Sequence, residues 1–77
     1  MQPARVILDH VRLLSSHPHT VVVTEVPSNP ITFEIRVCKN DFDRIVSREH
    51  NIRAACYSLA GLGRGEFLLT FLVCECL

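Results

Sequence analysis

The sequence has no net charge and no apolar run that is long enough to cross a membrane. Eight Lys and Arg residues balance eight Asp and Glu residues, which argues against a protein that holds nucleic acid by bulk electrostatic attraction. The longest apolar stretch covers residues 67–74, whereas a membrane-spanning helix needs about 20 residues. The first 16 residues lack the apolar core and the cleavage site of a signal peptide. We therefore expect a cytoplasmic protein without a membrane partner.

The sequence also lacks a recognisable catalytic arrangement. His50 lies close to Glu49 and Ser47, but neighbours along a loop rarely form a nucleophile and its base, and no oxyanion donor is identifiable. Glycine is confined to positions 61, 63 and 65. These glycines do not follow a strand and precede a helix, as the glycines of a phosphate-binding loop do. We predict that the chain is not an enzyme and binds no cofactor.

Four cysteines are present, at positions 38, 56, 74 and 76. An even number in a short chain is compatible with a disulfide framework, but each cysteine lies in an apolar segment, where a free thiol behaves as a small apolar group. We expect reduced, buried or half-buried thiols. One residue separates Cys74 from Cys76 and His17 from His19, whereas the cysteine ligands of zinc sites are usually spaced further apart. The pattern therefore predicts no metal site.

The length of 77 residues fits one domain that spans residues 1–77. A domain of this size buries only about 60% of the surface of its unfolded chain. Apolar residues make up 48% of the sequence and its mean hydropathy is +0.25, which is more apolar surface than one small interior hides. The excess predicts an interface with a partner or with another copy of the chain.

The spacing of apolar residues predicts an α+β fold with the order α-β-β-α-α-β. A helix over residues 4–16 is followed by a strand over 20–26, a turn at 27–30 and a strand over 31–38, and the two strands form an antiparallel hairpin. A short helix capped by Asn40, an interruption at 47–50, a helix over 51–60 that ends at Gly61, and a strand over 66–77 complete the chain. We expect a three-stranded sheet with helices packed on one face.

The last strand is apolar on both of its faces. Leu68 and Leu72 alternate with Phe67 and Phe71, so the two pairs point to opposite sides of the sheet. A sheet that is covered on one side requires only one apolar face. The sequence therefore predicts a homo-oligomer that forms through the outer face of the sheet.

Most of the chain resembles the small, stand-alone bacterial proteins that consist of one type II KH domain. The α-β-β-α-α-β order is the type II KH arrangement, and the last strand fits by its position. The resemblance is carried by these segments: the apolar first helix followed by His17-Pro18, the strand over 20–26, Phe33-Glu34-Ile35-Arg36-Val37, and Asp41-Phe42-Asp43-Arg44-Ile45-Val46. It implies a protein that binds single-stranded RNA as a chaperone or regulator, often beside a second KH-containing protein.

The KH family grips RNA with a Gly-x-x-Gly loop between two helices, where the backbone approaches the phosphodiester chain closely. The corresponding residues here are Ser47-Arg48-Glu49-His50, so both glycines are replaced and a carboxylate is added. The resemblance assigns RNA contacts to this modified clamp and to the flanking Arg44 and Arg53. The loss of both glycines weakens this clamp and predicts low affinity and a steep dependence on salt.

Two interpretations of this region remain open. Residues 36–53 contain five basic and three acidic residues, which fits a surface that faces phosphates or a solvated surface with ion pairs of Asp43 with Arg44 and Arg48. Tyr57 either stacks on a base or is a partly buried helix residue. An apolar platform for bases would be formed by residues that otherwise belong to the core: Ile35, Ile45, Val46 and Ile52.

The alternative function is that of a degenerate KH fold that serves as a protein-interaction or dimerisation module and does not bind RNA. Leu68, Leu72 and the carboxylate of Glu49 favour this alternative.

Overall fold

The computed structural model describes residues 2–75, which form three α-helices and one three-stranded sheet. The helices are α1 (Pro3–Leu14), α2 (Phe42–Val46) and α3 (Glu49–Leu59), and the strands are β1 (Val22–Val26), β2 (Ile31–Cys38) and β3 (Phe67–Cys74). Short 3₁₀ helices at Pro18–Thr20 and Lys39–Asp41 precede β1 and α2. The predicted α+β class and the predicted order of elements are confirmed.

The sheet is mixed and has the order β1-β2-β3. β1 and β2 are antiparallel, with Val22 opposite Arg36, so the predicted hairpin is confirmed. β3 runs parallel to β2, with Ile31 opposite Phe67, because α2 and α3 form the crossover that a parallel pair requires. β2 is therefore bonded on both sides, and β1 and β3 are the two edges of the sheet.

The core lies between the helices and one face of the sheet. Along β2 every second side chain is buried, as the period of a strand requires, and the amphipathic faces of the three helices cover these side chains. The largest fully buried residues from the strands are Phe33, Phe67, Ile35 and Val37, and those from the helices are Ile7, Val11, Ile45 and Ile52.

Two predicted boundaries before the hairpin are corrected by local hydrogen bonds. α1 ends at Leu14 rather than at residue 16, because Ser15 has an extended backbone and bonds elsewhere through its side chain. The first strand begins at Val22 rather than at residue 20. Thr20 belongs to a 3₁₀ turn, in which its Oγ1 donates to the carbonyl oxygen of His17 at 2.7 Å.

The junction between α2 and α3 is shorter than predicted. The interruption comprises Ser47 and Arg48 only, and α3 begins at Glu49 rather than at residue 51, because the Arg48 carbonyl oxygen accepts from the amides of residues 51 and 52. Asn40 is not the cap of α2, since it lies within the preceding 3₁₀ helix and Asp41 occupies the cap position.

α3 ends at Leu59, one residue before the predicted end, and Gly61 follows its C-cap as predicted. Gly61 has a φ of +70°, a backbone conformation that glycine adopts without a steric penalty and that commonly stops a helix. The amide of Leu62 closes this end by donating to the carbonyl oxygen of Cys56 at 3.2 Å. β3 begins at Phe67, and positions 76 and 77 of the predicted last strand lie outside the described residues.

The cysteines differ in state. Cys56 is a buried free thiol and Cys74 is a half-buried one, as expected. The prediction of a reduced thiol is wrong for Cys38, which is disulfide-bonded at the buried end of β2. Cys76 lies outside the described residues.

The outer face of the sheet is amphipathic. Leu68 is 48% exposed on β3 and Val22 is 51% exposed on β1, while the central strand presents Glu34 and Arg36 between them. Within residues 2–75, no helix has the length and the apolar character that crossing a membrane requires.

Candidate nucleic-acid interface

The turn between α2 and α3 is fixed by three hydrogen bonds. The amide of Ser47 donates to the carbonyl oxygen of Asp43 at 3.0 Å, and that of Arg48 donates to the carbonyl oxygen of Ile45 at 3.0 Å. The hydroxyl of Ser47 donates to the carbonyl oxygen of Arg44 at 2.6 Å. Ser47 therefore closes α2, a role that its short hydroxyl side chain performs without a glycine.

The first turn of α3 leaves backbone donors exposed. Among the described residues, the amides of Glu49 and His50 have no hydrogen-bond partner, as is usual for the first amides of a helix. Arg48 and His50 are exposed at the same turn, and in residues 2–75 neither side chain makes a hydrogen bond or an ion pair. Amides at a helix N-terminus beside a free guanidinium are a suitable arrangement for an anionic oxygen.

The carboxylate of Glu49 is already neutralised by Arg53. Nε of Arg53 donates to Oε2 of Glu49 at 2.9 Å, one helical turn away. The Arg53 guanidinium carbon also lies 5.3 Å from the centre of the Phe67 ring. The hydrogen bond to Glu49 raises the pKa of Arg53 above its ordinary value. Glu49 thus pairs along the axis of α3, and Arg53 contributes less free positive charge than the sequence suggests.

Arg44 is held in place by contacts with α1 and with the 3₁₀ helix before α2. Its guanidinium forms an ion pair with the buried Asp41, and its Nε donates to the carbonyl oxygen of Leu14 at 3.2 Å. Arg44 thus pairs with Asp41 rather than with Asp43, and within residues 2–75 no ion pair joins Asp43 to Arg48. Arg44 can bind a phosphate only with the part of its guanidinium that these contacts leave exposed.

Asp41 is the buried polar centre that connects α1 to α2. Its side chain is 1% exposed and accepts hydrogen bonds from the Ser15 hydroxyl at 2.9 Å and from the Ser16 amide and hydroxyl at 3.0 and 2.7 Å. Burial alone would raise the pKa of this carboxyl. The hydrogen bonds from both serines and the charge of Arg44 outweigh burial and lower the pKa from 3.8 to about 2.

The apolar platform that a KH groove would require is largely inside the core. Ile35, Ile45 and Ile52 are fully buried, and only Val46 is half-buried among the four platform residues. Tyr57 is partly buried and packs edge to face on Phe67, with ring centres 5.7 Å apart. The structure therefore favours the core interpretation for these residues, and no pocket is found on the surface of the described part of the chain.

The basic stretch over residues 36–53 is divided between two surfaces. Arg36 lies on the outer face of the sheet, opposite Val22 on β1 and Leu72 on β3. Arg48 lies at the turn between the helices, which cover the other face. Arg36 therefore does not belong to the same surface as the clamp residues.

Three residues with metal-ligating side chains also lie together among the described residues. One ligand atom from each of His17, Cys38 and Asp41 is within 4.8 Å of the other two. Cys38 is disulfide-bonded rather than a thiolate, and the Asp41 oxygens already accept the hydrogen bonds of Ser15 and Ser16. This cluster therefore holds α1 to the start of α2, and its donor set does not fit a metal ion in this state.

No protein-family model matches the chain, and neither does any curated protein or any solved structure.

The predicted clamp residues lie together at the turn, but sequence reasoning missed the buried Asp41 behind it. Ser47, Arg48, Glu49 and His50 are adjacent by chain order, and Arg53 joins them through one helical turn. In the sequence, Asp41 stands out only as the first residue of the 41–46 segment that resembles the KH family. Its partners Ser15 and Ser16 lie 26 and 25 residues away, and no local signal in the sequence indicates such a contact.

Proposed function

We propose that this chain is a type II KH-like RNA-binding accessory protein that holds the backbone of single-stranded RNA weakly at the turn between α2 and α3. One observation carries the proposal. Two amides without a hydrogen-bond partner, at Glu49 and His50, lie at the same turn as the exposed side chain of Arg48. The order of elements, the antiparallel hairpin and the parallel β3 support a KH-like arrangement.

The residues of the proposed clamp have different roles. Among the three arginines of the clamp, all within the described residues, Arg48 is the one without an ion pair. It meets a phosphate oxygen, while the amides of Glu49 and His50 donate to the same or the next phosphate. Ser47 fixes the turn. Arg44 and Arg53 contribute little, because each is already paired with a carboxylate.

This division of roles predicts the salt dependence. For single strands, the logarithm of the binding constant falls with the logarithm of salt concentration with a slope of about −0.7 for each neutralised phosphate. Arg48 acting alone gives a slope of about −0.7, whereas Arg44, Arg48 and Arg53 acting together give about −2. We expect a slope close to the smaller value, which is a weaker dependence on salt than the steep one expected from the sequence.

The test is the binding of a labelled single-stranded RNA pool, followed by fluorescence anisotropy at low and at physiological salt. Arg48→Ala should abolish most of the binding. Arg36→Ala is the matched control, because Arg36 is an exposed arginine on the opposite side of the sheet, and this variant should bind as the unsubstituted chain does. Equal losses in the two variants, or no binding at low salt, would refute the proposal.

A second candidate function is a degenerate KH fold that acts as a protein-interaction or dimerisation module. The exposed apolar side chains of Leu68 and Val22 on the outer face of the sheet favour it. Its partner would be another copy of the chain or a second KH-containing protein. The anisotropy assay distinguishes the two functions, because a protein-interaction module of this kind does not bind RNA.

A further inference from the structure

β3 is an edge strand with an unpaired side. It is the last strand in the order β1-β2-β3 and, within the described residues, pairs with β2 alone. Apart from the ladder to β2, no hydrogen bond within residues 2–75 joins the backbone of β3 to another element. Alternate residues of β3 therefore direct their amide and carbonyl groups away from the sheet, where they can form a second ladder.

The two edges of the sheet differ in how they resist such pairing. β1 has five residues, includes the exposed Glu25 and is followed directly by Pro27, and charge, proline and short length all protect an edge. β3 has eight residues and includes neither a charged residue nor a proline. Its Leu68 and Val73 are 48% and 49% exposed. Within residues 2–75, β3 is therefore the edge that lacks these protections.

We propose that two copies of the chain associate through antiparallel pairing of their β3 edges, which produces one continuous six-stranded sheet. The contact runs along the edge of the sheet rather than across its outer face, and it does not depend on RNA binding. A two-fold axis perpendicular to the sheet generates the dimer. The strand that pairs with the free edge of β3 is the β3 of a second copy, because an uncharged strand is complementary to itself and sets no like charges opposite each other.

The alternation of side chains selects the register. Antiparallel partners point to the same face, so the axis passes through a residue rather than between two residues. An axis at Thr70 sets Leu68 opposite Leu72 of the second copy and Thr70 opposite itself. An axis at Phe71 would instead set the charged Glu75 opposite Phe67, which is buried. The axis at Thr70 is therefore favoured.

The experiment is sedimentation equilibrium of the full chain and of variants at Thr70 and Thr24. Both threonines are exposed, lie on edge strands and are in register with Glu34 of β2, so Thr24→Lys is the matched control for Thr70→Lys. We expect Thr70→Lys and Thr70→Glu each to weaken the dimer about twofold to fivefold, because like charges then face each other across the axis. An equimolar mixture of the two variants should restore dimerisation, since opposite charges then meet.

The mixture keeps the test independent of folding, because a misfolded variant does not regain dimerisation from its partner. Non-reducing electrophoresis of the same samples shows whether any dimer is covalent. A monomeric unsubstituted chain, an equal effect of Thr24→Lys, or a mixture no better than its components would each overturn the proposal. An equal effect at the two threonines would indicate contact across the outer face instead.

Discussion

Replacing Asp41 with asparagine should destabilise the fold by removing the charge that connects α1 to α2. Asp41 is buried and accepts three hydrogen bonds from Ser15 and Ser16 besides its ion pair with Arg44. The fall of its pKa from 3.8 to about 2 corresponds to about 2 kcal/mol of preference for the charged carboxyl in the folded state. Asparagine has the same shape, but its side-chain NH₂ group donates hydrogen bonds. It would therefore face groups of Ser15 and Ser16 that are themselves donors in the native contact.

The expected loss of about 2 kcal/mol is large for a domain of this size, whose total stability is of order 4–12 kcal/mol. It should lower Tm by about 8–16 °C, since each kcal/mol lowers Tm by about 4–8 °C in small domains. Urea unfolding followed by far-ultraviolet circular dichroism measures the difference directly. Asp43→Asn is the matched control, because Asp43 is exposed and its loss should cost about 0.5 kcal/mol or less.

The pH dependence of the free energy of unfolding gives a second test, in which Asp41→Asn is compared with the unsubstituted chain. The folded-state pKa of Asp41 is lowered, so its contribution is present in full above the ordinary value of 3.8 and is lost as the pH falls through about 2. The stability difference between the unsubstituted chain and Asp41→Asn should therefore shrink over this range. An Asp41→Asn cost no larger than that of Asp43→Asn, or a difference that persists unchanged to pH 2, would refute the reasoning.

Three further predictions concern burial and backbone conformation. Cys74 should react with iodoacetamide in the folded protein and Cys56 only after denaturation, because Cys56 is fully buried and burial raises the pKa of its thiol. Mass spectrometry of the modified chain measures the two reaction rates, and equal rates would contradict the prediction. Ile52→Ala should cost about 2–5 kcal/mol by leaving a cavity in the core, whereas Leu13→Ala should be nearly neutral because Leu13 is 87% exposed; urea unfolding that gave similar losses would contradict this placement. Gly61→Ala should cost about 1 kcal/mol in the same assay, because the φ of +70° at this position is strained for any residue with a Cβ. The cost should not be larger, because an added Cβ meets no atom within 4 Å. An unchanged midpoint would contradict the strain assigned to this position.

The fold was predictable where its signals are local and periodic. Alternating apolar residues from Ile31 to Val37 specify an inward face for β2, and Pro27 with Pro30 marks the turn of the hairpin. Gly61 stops α3 because the required backbone conformation is one that glycine adopts freely. These features depend on residues that are close neighbours in sequence.

The candidate site was predictable only in part, because its charges are set by contacts that the chain order does not reveal. Arg44 and Arg53 were equivalent cations in the sequence, yet each is paired with a carboxylate in the structure. The partners of Asp41 come from the end of α1, far away along the chain. Arg36 belongs to the same basic stretch as Arg48, but the alternation of β2 directs it to the opposite face of the sheet.

The central claim is that RNA binds at the turn between α2 and α3, and amide chemical-shift mapping tests it most directly. A ¹⁵N-labelled chain titrated with single-stranded RNA at low salt should show its largest shifts at the amides of Arg48, Glu49 and His50. The amides of β1 and the outer-face residues of β3 should remain unchanged. Shifts confined to the sheet, or none at all, would contradict the claim and would leave the protein-interaction module as the function to pursue.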